Sequence, residues 1–250
     1  MVSKNQSKFI KSLKIKKYRV KESMFLVEGK KNVLELLKSG FELHLLLGTE
    51  VFLFNHLGEF KGLAKHQIVQ ASDKELADLG TFKTNQDCLA VVKMKRQNQQ
   101  GLDFGKHVFV LDGVSDPGNL GTIIRTLDWF GFDQILCSAN SADFYNPKTI
   151  NSTMGSFTRV TVSYGDVPEF LKSKPAGVHS YGAAMEGQNP SQINLKRPSV
   201  IVFGSESHGI SEEVEKLLDQ KISIPGKGTA ESLNVGIAAG IISYLACAEG

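Results

Sequence analysis

The segment VFVLDGVSDPGNLGTIIRT (residues 108–126) contains an apolar run, a glycine-rich turn and a stretch with helical spacing. Residues 108–111 are continuously apolar, as in a buried strand, and apolar residues recur at helical intervals over residues 120–130. Glycine allows positive φ angles and a close approach of the backbone to a ligand. The segment therefore predicts a strand, a polar loop and a helix, which is the repeating unit of a parallel α/β sheet.

The chain beyond this segment repeats the alternation of apolar runs and helical spacings. Continuous apolar strands between helices indicate a parallel sheet covered on both faces, so we predict an α/β domain. Trp129 stands among apolar residues and is predicted to lie in the core. The further predicted elements are strands near residues 134–136, 160–162, 178–183, 200–203 and 222–224, and helices over residues 147–154, 212–218 and 231–246.

The N-terminal part of the chain predicts a second, smaller α/β domain. Residues 1–17 have the spacing of a single helix, and Ser72 with Glu75 forms a capping box that begins another. Residues 96–101 are polar and without periodicity, as in a linker. Strands are expected at residues 25–27, 43–47, 68–69 and 89–92. The predicted division is a domain over residues 1–96, a linker over 97–106 and a domain over 107–250.

Positive charge is concentrated near the N-terminus. The chain has 29 Lys and Arg against 26 Asp and Glu, but residues 1–38 carry eleven Lys and Arg against three Glu. Eight of these cations lie between Lys4 and Lys21 with no acidic residue among them. Such a run would attract a polyanion, and a solvated helix face is the alternative interpretation.

Composition and cysteine content exclude several classes of protein. With 41% hydrophobic and 22% charged residues, the chain is neither disordered nor collagenous. Its three cysteines form no disulfide framework or zinc motif, and its six histidines lack metal-ligand spacing, so we expect no metal site. No signal peptide is visible, and no apolar stretch reaches the about 20 residues of a membrane span. We expect a cytoplasmic protein.

Three loops rich in glycine and polar residues follow apolar strands, at residues 112–125, 204–209 and 225–235. Ligands bind beyond the carboxyl ends of the strands in such sheets, so three loops of this kind indicate a ligand site. A nucleotide-binding GxGxxG motif and a P-loop are both missing. A hydrolase is also disfavoured, because no GxSxG elbow surrounds Ser207 and His208, and neighbouring side chains on an extended chain point apart.

Together, the three loops resemble the three motifs of the SpoU-type RNA ribose methyltransferases, in the trefoil-knot (SPOUT) superfamily. The resemblance covers residues 108–247, and residues 25–30 also resemble the start of the family's N-terminal substrate-binding domain. The matching stretches are DPGNLGTIIRT (residues 116–126), VFGSE (202–206) with Gly209, and Ile224 and Pro225 with SLNV (232–235).

The resemblance implies transfer of a methyl group from S-adenosylmethionine to a ribose 2′-hydroxyl of RNA, with ribosomal RNA favoured and transfer RNA also open. It further implies a knotted C-terminal catalytic domain, an RNA-binding N-terminal domain and a homodimer with active sites at the interface. Two alternatives remain. One is an RNA-binding or ribosome-assembly protein that has lost catalysis, and the other is a methyltransferase that acts on an RNA base.

The resemblance also assigns roles to individual residues. Arg125 would be the main catalytic residue, and because arginine stays protonated we expect it to bind phosphate or stabilise alkoxide charge rather than act as a base. Glu206 would orient Arg125 or an RNA group. The other catalytic candidates are Asn119, Ser232 and Asn234, and the candidates for donor binding are Gly204, Ile224, Ser232, Leu233 and Asn234.

Simpler structural roles compete with these assignments. Asn119 and Ser232 could each cap a helix, and Glu206 could be a solvated loop acid. Ile224 and Leu233 could belong to the hydrophobic core.

Two positions depart from the family's usual pattern. Ser207 stands where glycine is usual, and Gly236 stands where a small hydroxyl residue is common. Because both lie within the motifs, they bear on substrate choice and on the details of the donor pocket.

Overall fold

A computed structural model describes residues 2–82, 87–95, 102–193, 195 and 199–248. By their contacts, the residues form two units: residues 1–96 with 143–158, and residues 97–142 with 159–250. The segment 143–158 thus belongs to the first unit although it lies between two strands of the second in sequence. Of the predicted linker, residues 97–101 lie outside the described part of the chain.

The first unit contains a mixed four-stranded sheet and short helices. Its elements up to residue 95 are α1 (Lys4–Ser12), α2 (Lys16–Glu22), β1 (Met24–Glu28), α3 (Lys30–Leu37), β2 (Leu43–Gly48), α4 (Glu50–Asn55), β3 (Ile68–Gln70), α5 (Asp73–Leu79) and β4 (Cys88–Lys93). The strand order is β1-β4-β2-β3, with β4 antiparallel to both neighbours and β2 parallel to β3. One cluster of its core joins Ile10 and Leu13 near the N-terminus to Leu76 of α5.

The second unit is built on a six-stranded sheet in the order β10-β8-β9-β5-β6-β7, and all its strand pairs are parallel. The remaining elements of the chain are β5 (Val108–Asp112), α6 (Pro117–Trp129), β6 (Gln134–Cys137), α7 (Pro147–Ser152, in the first unit), β7 (Thr161–Tyr164), α8 (Val167–Lys172), β8 (His179–Gln188), β9 (Ser199–Gly204), α9 (Glu212–Glu215), β10 (Gln220–Ile222) and α10 (Val235–Ala248). The predicted α/β class with a parallel sheet is confirmed.

The single helix predicted over residues 1–17 is wrong, because two helices, α1 and α2, occupy this part of the chain. Arg19 of α2 stabilises the break. Its buried guanidinium donates to the carbonyl oxygens of Leu13 at 3.0 Å and Lys14 at 2.9 Å. The same guanidinium pairs with Asp143 at 2.6 Å, which ties the segment 143–158 to α2.

Other sequence predictions differ from the structure at helix ends and in one core assignment. Each predicted strand overlaps an observed one, but β8 extends to Gln188 and β10 ends at Ile222. α10 begins at Val235 rather than at residue 231. Trp129 is 83% exposed, so its assignment to the core is wrong. The capping box is confirmed, since the Ser72 N–H donates to the Glu75 carboxylate at 2.8 Å. Within the described ranges, the helices are all too short or too polar to cross a membrane.

Replacing Asp143 with Ala should lower the free energy of unfolding by roughly 3 kcal/mol, because the buried Arg19 guanidinium would lose its charged partner. Asp78→Ala is the matched control in the same unit. The Asp78–Lys11 pair, at 2.7 Å, is exposed to solvent, which screens it, so this change should cost much less. Urea unfolding followed by circular dichroism measures both effects, and equal losses would contradict the prediction.

Candidate active site

The carboxyl ends of the central strands bring the glycine-rich loops to one edge of the parallel sheet. Asp112, the last residue of β5, pairs with Gly204, the last residue of β9. β8 lies on the other side of β9, and β10 flanks β8. Because all these strands are parallel, the loops that follow β5, β9 and β10 begin at the same edge, where ligands bind in this class of fold.

A chain of side-chain hydrogen bonds joins the three loops at Asn119. The Asn119 Nδ2 group donates to the Glu206 carboxylate in the second loop. The Asn119 Oδ1 atom accepts from Asn234 Nδ2 in the third loop at 3.0 Å. Three of the predicted site residues, from three separate segments, are therefore brought together, and the orientation of the central amide is fixed by a partner at each end.

Other residues cap the neighbouring helices, which leaves the Asn119 side chain available to the loops. Asp116 Oδ1 accepts from the Asn119 N–H at 2.9 Å, so Asp116 rather than Asn119 caps α6. Asn234 Oδ1 accepts from the Gly236 N–H at 2.9 Å, so Asn234 rather than Ser232 caps α10. The simpler structural roles considered for Asn119 and Ser232 are thus filled by other residues.

The second loop is a tight reversal of the backbone that requires glycine at its base. Ser205 and Gly209 exchange two backbone hydrogen bonds of 2.9 Å, and Gly209 has a φ angle of 68°. A Cβ atom on Gly204 would lie 2.0 Å from the Gly209 carbonyl carbon. Gly204 is therefore dictated by the close approach of two backbone segments.

Ser207 and His208 at the tip of this loop form a pair that the sequence did not predict. Ser207 Oγ and His208 Nδ1 are 2.7 Å apart, so the expectation that the two side chains point apart is wrong. That expectation assumed an extended chain, whereas residues 206–208 lie in a turn closed by Ser205 and Gly209. Both side chains of the pair are exposed to solvent.

Arg125 lies on α6 with its side chain exposed. No described residue forms a hydrogen bond or an ion pair with its guanidinium, and Glu206 is engaged by Asn119 rather than by Arg125. Trp129 follows one turn later on the same face of α6. The cation is therefore free to meet an anionic ligand.

The candidates for donor binding present apolar surface to solvent instead of forming core. Leu233 is 48% exposed, Ile224 is half-buried, and Ser232 is exposed. An adenine ring needs apolar walls together with backbone hydrogen-bonding groups, and this part of the chain offers both. The residues therefore fit a nucleoside-containing cofactor such as the one that the resemblance implies.

Asp112 is a structural member of the site that sequence reasoning missed. Its carboxylate is buried at the end of β5 and accepts from the Ser211 N–H at 2.8 Å. Ser211 follows the second loop, so the hydrogen bond ties that loop to the strand from which the first loop starts. A charged residue that ends an apolar strand was the available signal.

Thiolate chemistry is disfavoured at Cys88 and Cys137, and the described side chains include no cluster of metal ligands. Burial raises the pKa of the Cys88 and Cys137 thiols well above the usual range, so both remain protonated at neutral pH. Among residues 2–82, 87–95, 102–193, 195 and 199–248, no three His, Cys, Asp or Glu side chains cluster as metal ligands would. The absence of a metal site stays a prediction.

Comparison with known proteins identifies related sequences over nearly the whole chain. Residues 106–244 match the SpoU rRNA Methylase family, and residues 4–90 match the MRM3-like substrate binding domain. The 23S rRNA (guanosine(2553)-2′-O)-methyltransferase RlmP of Bacillus subtilis is 34% identical over 246 residues, which cover 97% of this chain and 96% of the relative.

Solved structures show the same architecture. A TrmH-family protein from Porphyromonas gingivalis superimposes with a TM-score of 0.84 at 33% identity, over 98% of each chain. An AdoMet-bound rRNA methyltransferase from Sinorhizobium meliloti gives a TM-score of 0.87 at 26% identity, over 98% of this chain and 96% of that one. Each of these two structures therefore covers both units of the chain.

Proposed function

The chain belongs to the SpoU rRNA methylase family, and we propose that it transfers a methyl group from S-adenosylmethionine to a ribose 2′-hydroxyl of ribosomal RNA. The observation that carries the proposal is the hydrogen-bonded linkage of Asn119 to Glu206 and Asn234. Asn119 lies on α6, the helix that also carries the unpaired cation of Arg125. The Bacillus subtilis relative is named for a guanosine of 23S rRNA, which favours large-subunit RNA as the substrate class.

S-adenosylmethionine, when bound, supplies a methyl group on a sulfonium centre. We propose that the backbone at Gly204 and the apolar surfaces of Ile224 and Leu233 hold its adenine ring. Ser232 and Asn234 would order the third loop around it. The half-buried and exposed positions of these residues support this assignment, because core residues would have no surface to offer.

The side chains of the chain itself would orient the acceptor and manage its charge. A neutral ribose hydroxyl is a poor nucleophile, so the enzyme must position it and assist the loss of its proton. Asn119, whose amide is fixed by Glu206 and Asn234, would position the nucleotide. Arg125 would bind a neighbouring phosphate or stabilise negative charge that develops on the oxygen.

Organisation and location complete the proposal. We propose residues 1–96 as the RNA substrate-binding domain, residues 97–106 as a linker and residues 107–250 as the methyltransferase domain. The matches to a substrate-binding domain and to a methylase family support this division. We further propose that the catalytic domain is knotted, as the resemblance implies, and that the protein acts in the cytoplasm on its RNA.

Mapping of 2′-O-methyl groups in RNA from cells with and without the gene tests the function. A ribose methyl that disappears from ribosomal RNA with the gene is the expected result, and one lost from transfer RNA would correct the substrate. Loss of a base methyl would instead support the alternative reaction. Binding of S-adenosylmethionine without transfer to any RNA would support an RNA-binding protein that has lost catalysis.

Replacing Arg125 with Ala should reduce methyl transfer by about 100-fold or more, because one preorganised charge at a developing oxyanion contributes on that order. Affinity for S-adenosylmethionine should stay unchanged, since the exposed side chain has no packing role. Transfer of tritium from labelled donor and titration calorimetry measure the two properties. Lys172→Ala, an exposed cation of α8, is the control. Wild-type turnover of the Arg125 variant would refute its catalytic assignment.

The N-terminal cations separate into structural and free ones. Lys11 pairs with Asp78 at 2.7 Å, Lys14 donates to the Gly80 carbonyl at 2.5 Å, and Arg19 is buried. These three contribute to the fold of the first unit. Lys21 lies 3.8 Å from the Glu22 carboxylate. The exposed lysines of this run that pair with no described residue are Lys4, Lys8, Lys16 and Lys17. We propose that the exposed ones contact RNA phosphates.

Changing the exposed lysines to Gln should weaken RNA binding and flatten its salt dependence, by about 0.7 in the logarithmic slope for each lost phosphate contact with a single strand. The quadruple variant replaces Lys4, Lys8, Lys16 and Lys17. The matched control replaces four other exposed lysines of the same unit, Lys38, Lys61, Lys65 and Lys74. Filter binding to ribosomal RNA measures the slope. The salt concentration is varied between roughly 50 and 200 mM, the range over which the affinity from phosphate contacts falls steeply. Equal slopes for both variants would show that the run is only a solvated face.

Exposed apolar side chains on α10, together with Trp129 of α6, support a homodimer. The two helices pack together where Gly236 and Gly240 of α10 face Thr122 and Thr126 of α6. Beside this contact, an apolar stripe is left exposed: Ile237 (55%), Ile241 (37%) and Tyr244 (60%) on α10, and Trp129 (83%) on α6.

A contiguous apolar stripe on the surface of a globular protein marks an interaction site. We propose that a second copy of the chain covers it. Arg125 precedes Trp129 by one helical turn, so a dimer formed there would place this cation at the edge of the interface. This agrees with the active-site location that the resemblance implies.

Replacing Ile241 with Asp should convert the dimer to a monomer, because a carboxylate would be buried without a partner in the interface. Sedimentation velocity at micromolar concentration measures the mass. Val51→Asp, at a position of α4 that is 69% exposed, is the control and should leave the mass unchanged. A wild-type protein that sediments only as a monomer would overturn the dimer.

A further inference from the structure

The proposed methyl transfer releases a proton, and the residues assigned so far do not include a good acceptor for it. The ribose O–H bond breaks, a bond forms between that oxygen and the methyl carbon, and the carbon–sulfur electron pair stays on the sulfur of the donor. Arg125 remains protonated and cannot take the proton. A proton acceptor near Asn119 is therefore a requirement of the proposed function that another residue must meet.

The second loop carries an imidazole next to the hydrogen-bonded chain at Asn119. His208 lies two residues after Glu206, which accepts from the Asn119 amide. Two residues span at most about 7 Å of backbone, and the closure of the loop between Ser205 and Gly209 keeps the two positions close. The imidazole is thus held on the same short loop as a residue that contacts the site.

Ser207 gives this imidazole a defined orientation. Its Oγ atom lies 2.7 Å from His208 Nδ1, and the Ser205 Oγ atom accepts from the His208 backbone N–H at 3.1 Å. A neutral imidazole has one protonated and one unprotonated nitrogen. When Nδ1 donates its hydrogen to Ser207 Oγ, Nε2 keeps its lone pair, and the side chain that carries it is exposed.

We propose that His208 Nε2 accepts the proton of the target 2′-hydroxyl and that Ser207 is the positioning residue that holds the imidazole ring. The proposal rests on the proposed function of the preceding section. Once protonated, the exposed imidazolium returns its proton to water, so that the group is ready for the next turnover. The glycine that is usual at position 207 in the family pattern would offer no such hydroxyl.

The ionisable neighbours leave His208 as the best acceptor on the loop. A carboxylate is ordinarily a weaker base than an imidazole by about two pKa units. One oxygen of Glu206 is in addition occupied by the Asn119 amide, and Asp112 is buried and holds the Ser211 N–H. The ionisable groups on the loop and on the elements that adjoin it include Asp112, Asp116, Arg125, Asp128, Glu206, Glu212, Glu213, Glu215, Lys227 and Glu231.

The test measures single-turnover methylation as a function of pH, with the full-length protein, saturating S-adenosylmethionine and ribosomal RNA isolated from cells that lack the gene. The wild-type rate should rise with pH and then level off, because a base must be unprotonated to accept the proton. His208→Gln should lower the plateau by about 100-fold or more and abolish the rise. The affinities of this variant for RNA and for S-adenosylmethionine should stay within about twofold of the wild-type values.

Two further variants separate the roles of the pair. Ser207→Gly should lower the plateau by a smaller factor while the pH dependence is retained, and Ser207→Thr, which keeps the hydroxyl, should restore the rate. His179→Gln, at the opposite end of the parallel sheet on the first residue of β8, is the matched histidine control and should behave as wild type.

Three results would overturn the inference. A His208→Gln protein with the wild-type plateau and pH dependence would show that another group takes the proton. A loss of rate that is matched by a loss of RNA affinity would show that His208 is a binding residue only. Absence of methyl transfer to RNA by the wild-type protein, with S-adenosylmethionine still bound, would overturn the proposed function itself, and the inference with it.

Discussion

The Asn119 side chain has one donating and one accepting end, and the catalytic unit depends on both being used at once. The donor meets Glu206 from the loop after β9, and the acceptor meets Asn234 at the start of α10. An amide that is engaged in this way cannot rotate without breaking one of its two bonds. Three loops that are distant in sequence are thereby held together. The strands and helices of the unit position Asn119 between them.

Backbone packing supplies the rigidity behind that linkage. Gly204 ends its strand so close to the returning loop that a side chain would collide with the backbone of Gly209, and this forces the reversal that presents residues 206–208. At the start of α10, Gly236 lets the helix approach Thr122 of α6, with only 3.2 Å between an ideal Cβ atom and the threonine methyl group. A hydroxyl residue at position 236, common in the family pattern, would need a slight adjustment of this contact. The absence of side chains at these positions is as important to the site as the functional groups that it presents.

How much the sequence could predict depended on whether the deciding forces were local. The strands of the parallel sheet were predicted because both of their faces are buried, which leaves a continuous apolar run in the sequence. The break between α1 and α2 was missed because it is stabilised by Arg19, whose partners Leu13, Lys14 and Asp143 cannot be deduced from periodicity. Trp129 was misplaced for a related reason, since an apolar residue on a helix has the same pattern whether it faces a core or an exposed surface.

The candidate site shows the same division. The motif residues could be named from their order and spacing, but the hydrogen-bond partners could not, because they depend on how loops of different strands fold back. Glu206 was expected at Arg125 or at an RNA group, and in the structure its carboxylate holds Asn119. Ser207 and His208 were expected to point apart, and a turn of three residues brings their side chains together. Turn geometry of this kind is set by the closure between Ser205 and Gly209, which a residue pattern does not encode.

The contrast between the satisfied polar chain and the free cation has a physical rationale. Asn119 bonds to both Glu206 and Asn234, so the positions of these side chains are set before any ligand binds, and no reorganisation is needed when it arrives. Arg125 has no such partner among the described residues. An exposed cation loses little stability by remaining unpaired, because a surface ion pair contributes at most about 1 kcal/mol. The same charge becomes much more effective once a bound RNA excludes water and lowers the local dielectric. A polar framework that is fixed in advance, together with an unpaired cation on the same helix, is therefore the arrangement that is least costly to the free protein and most useful to a bound polyanion.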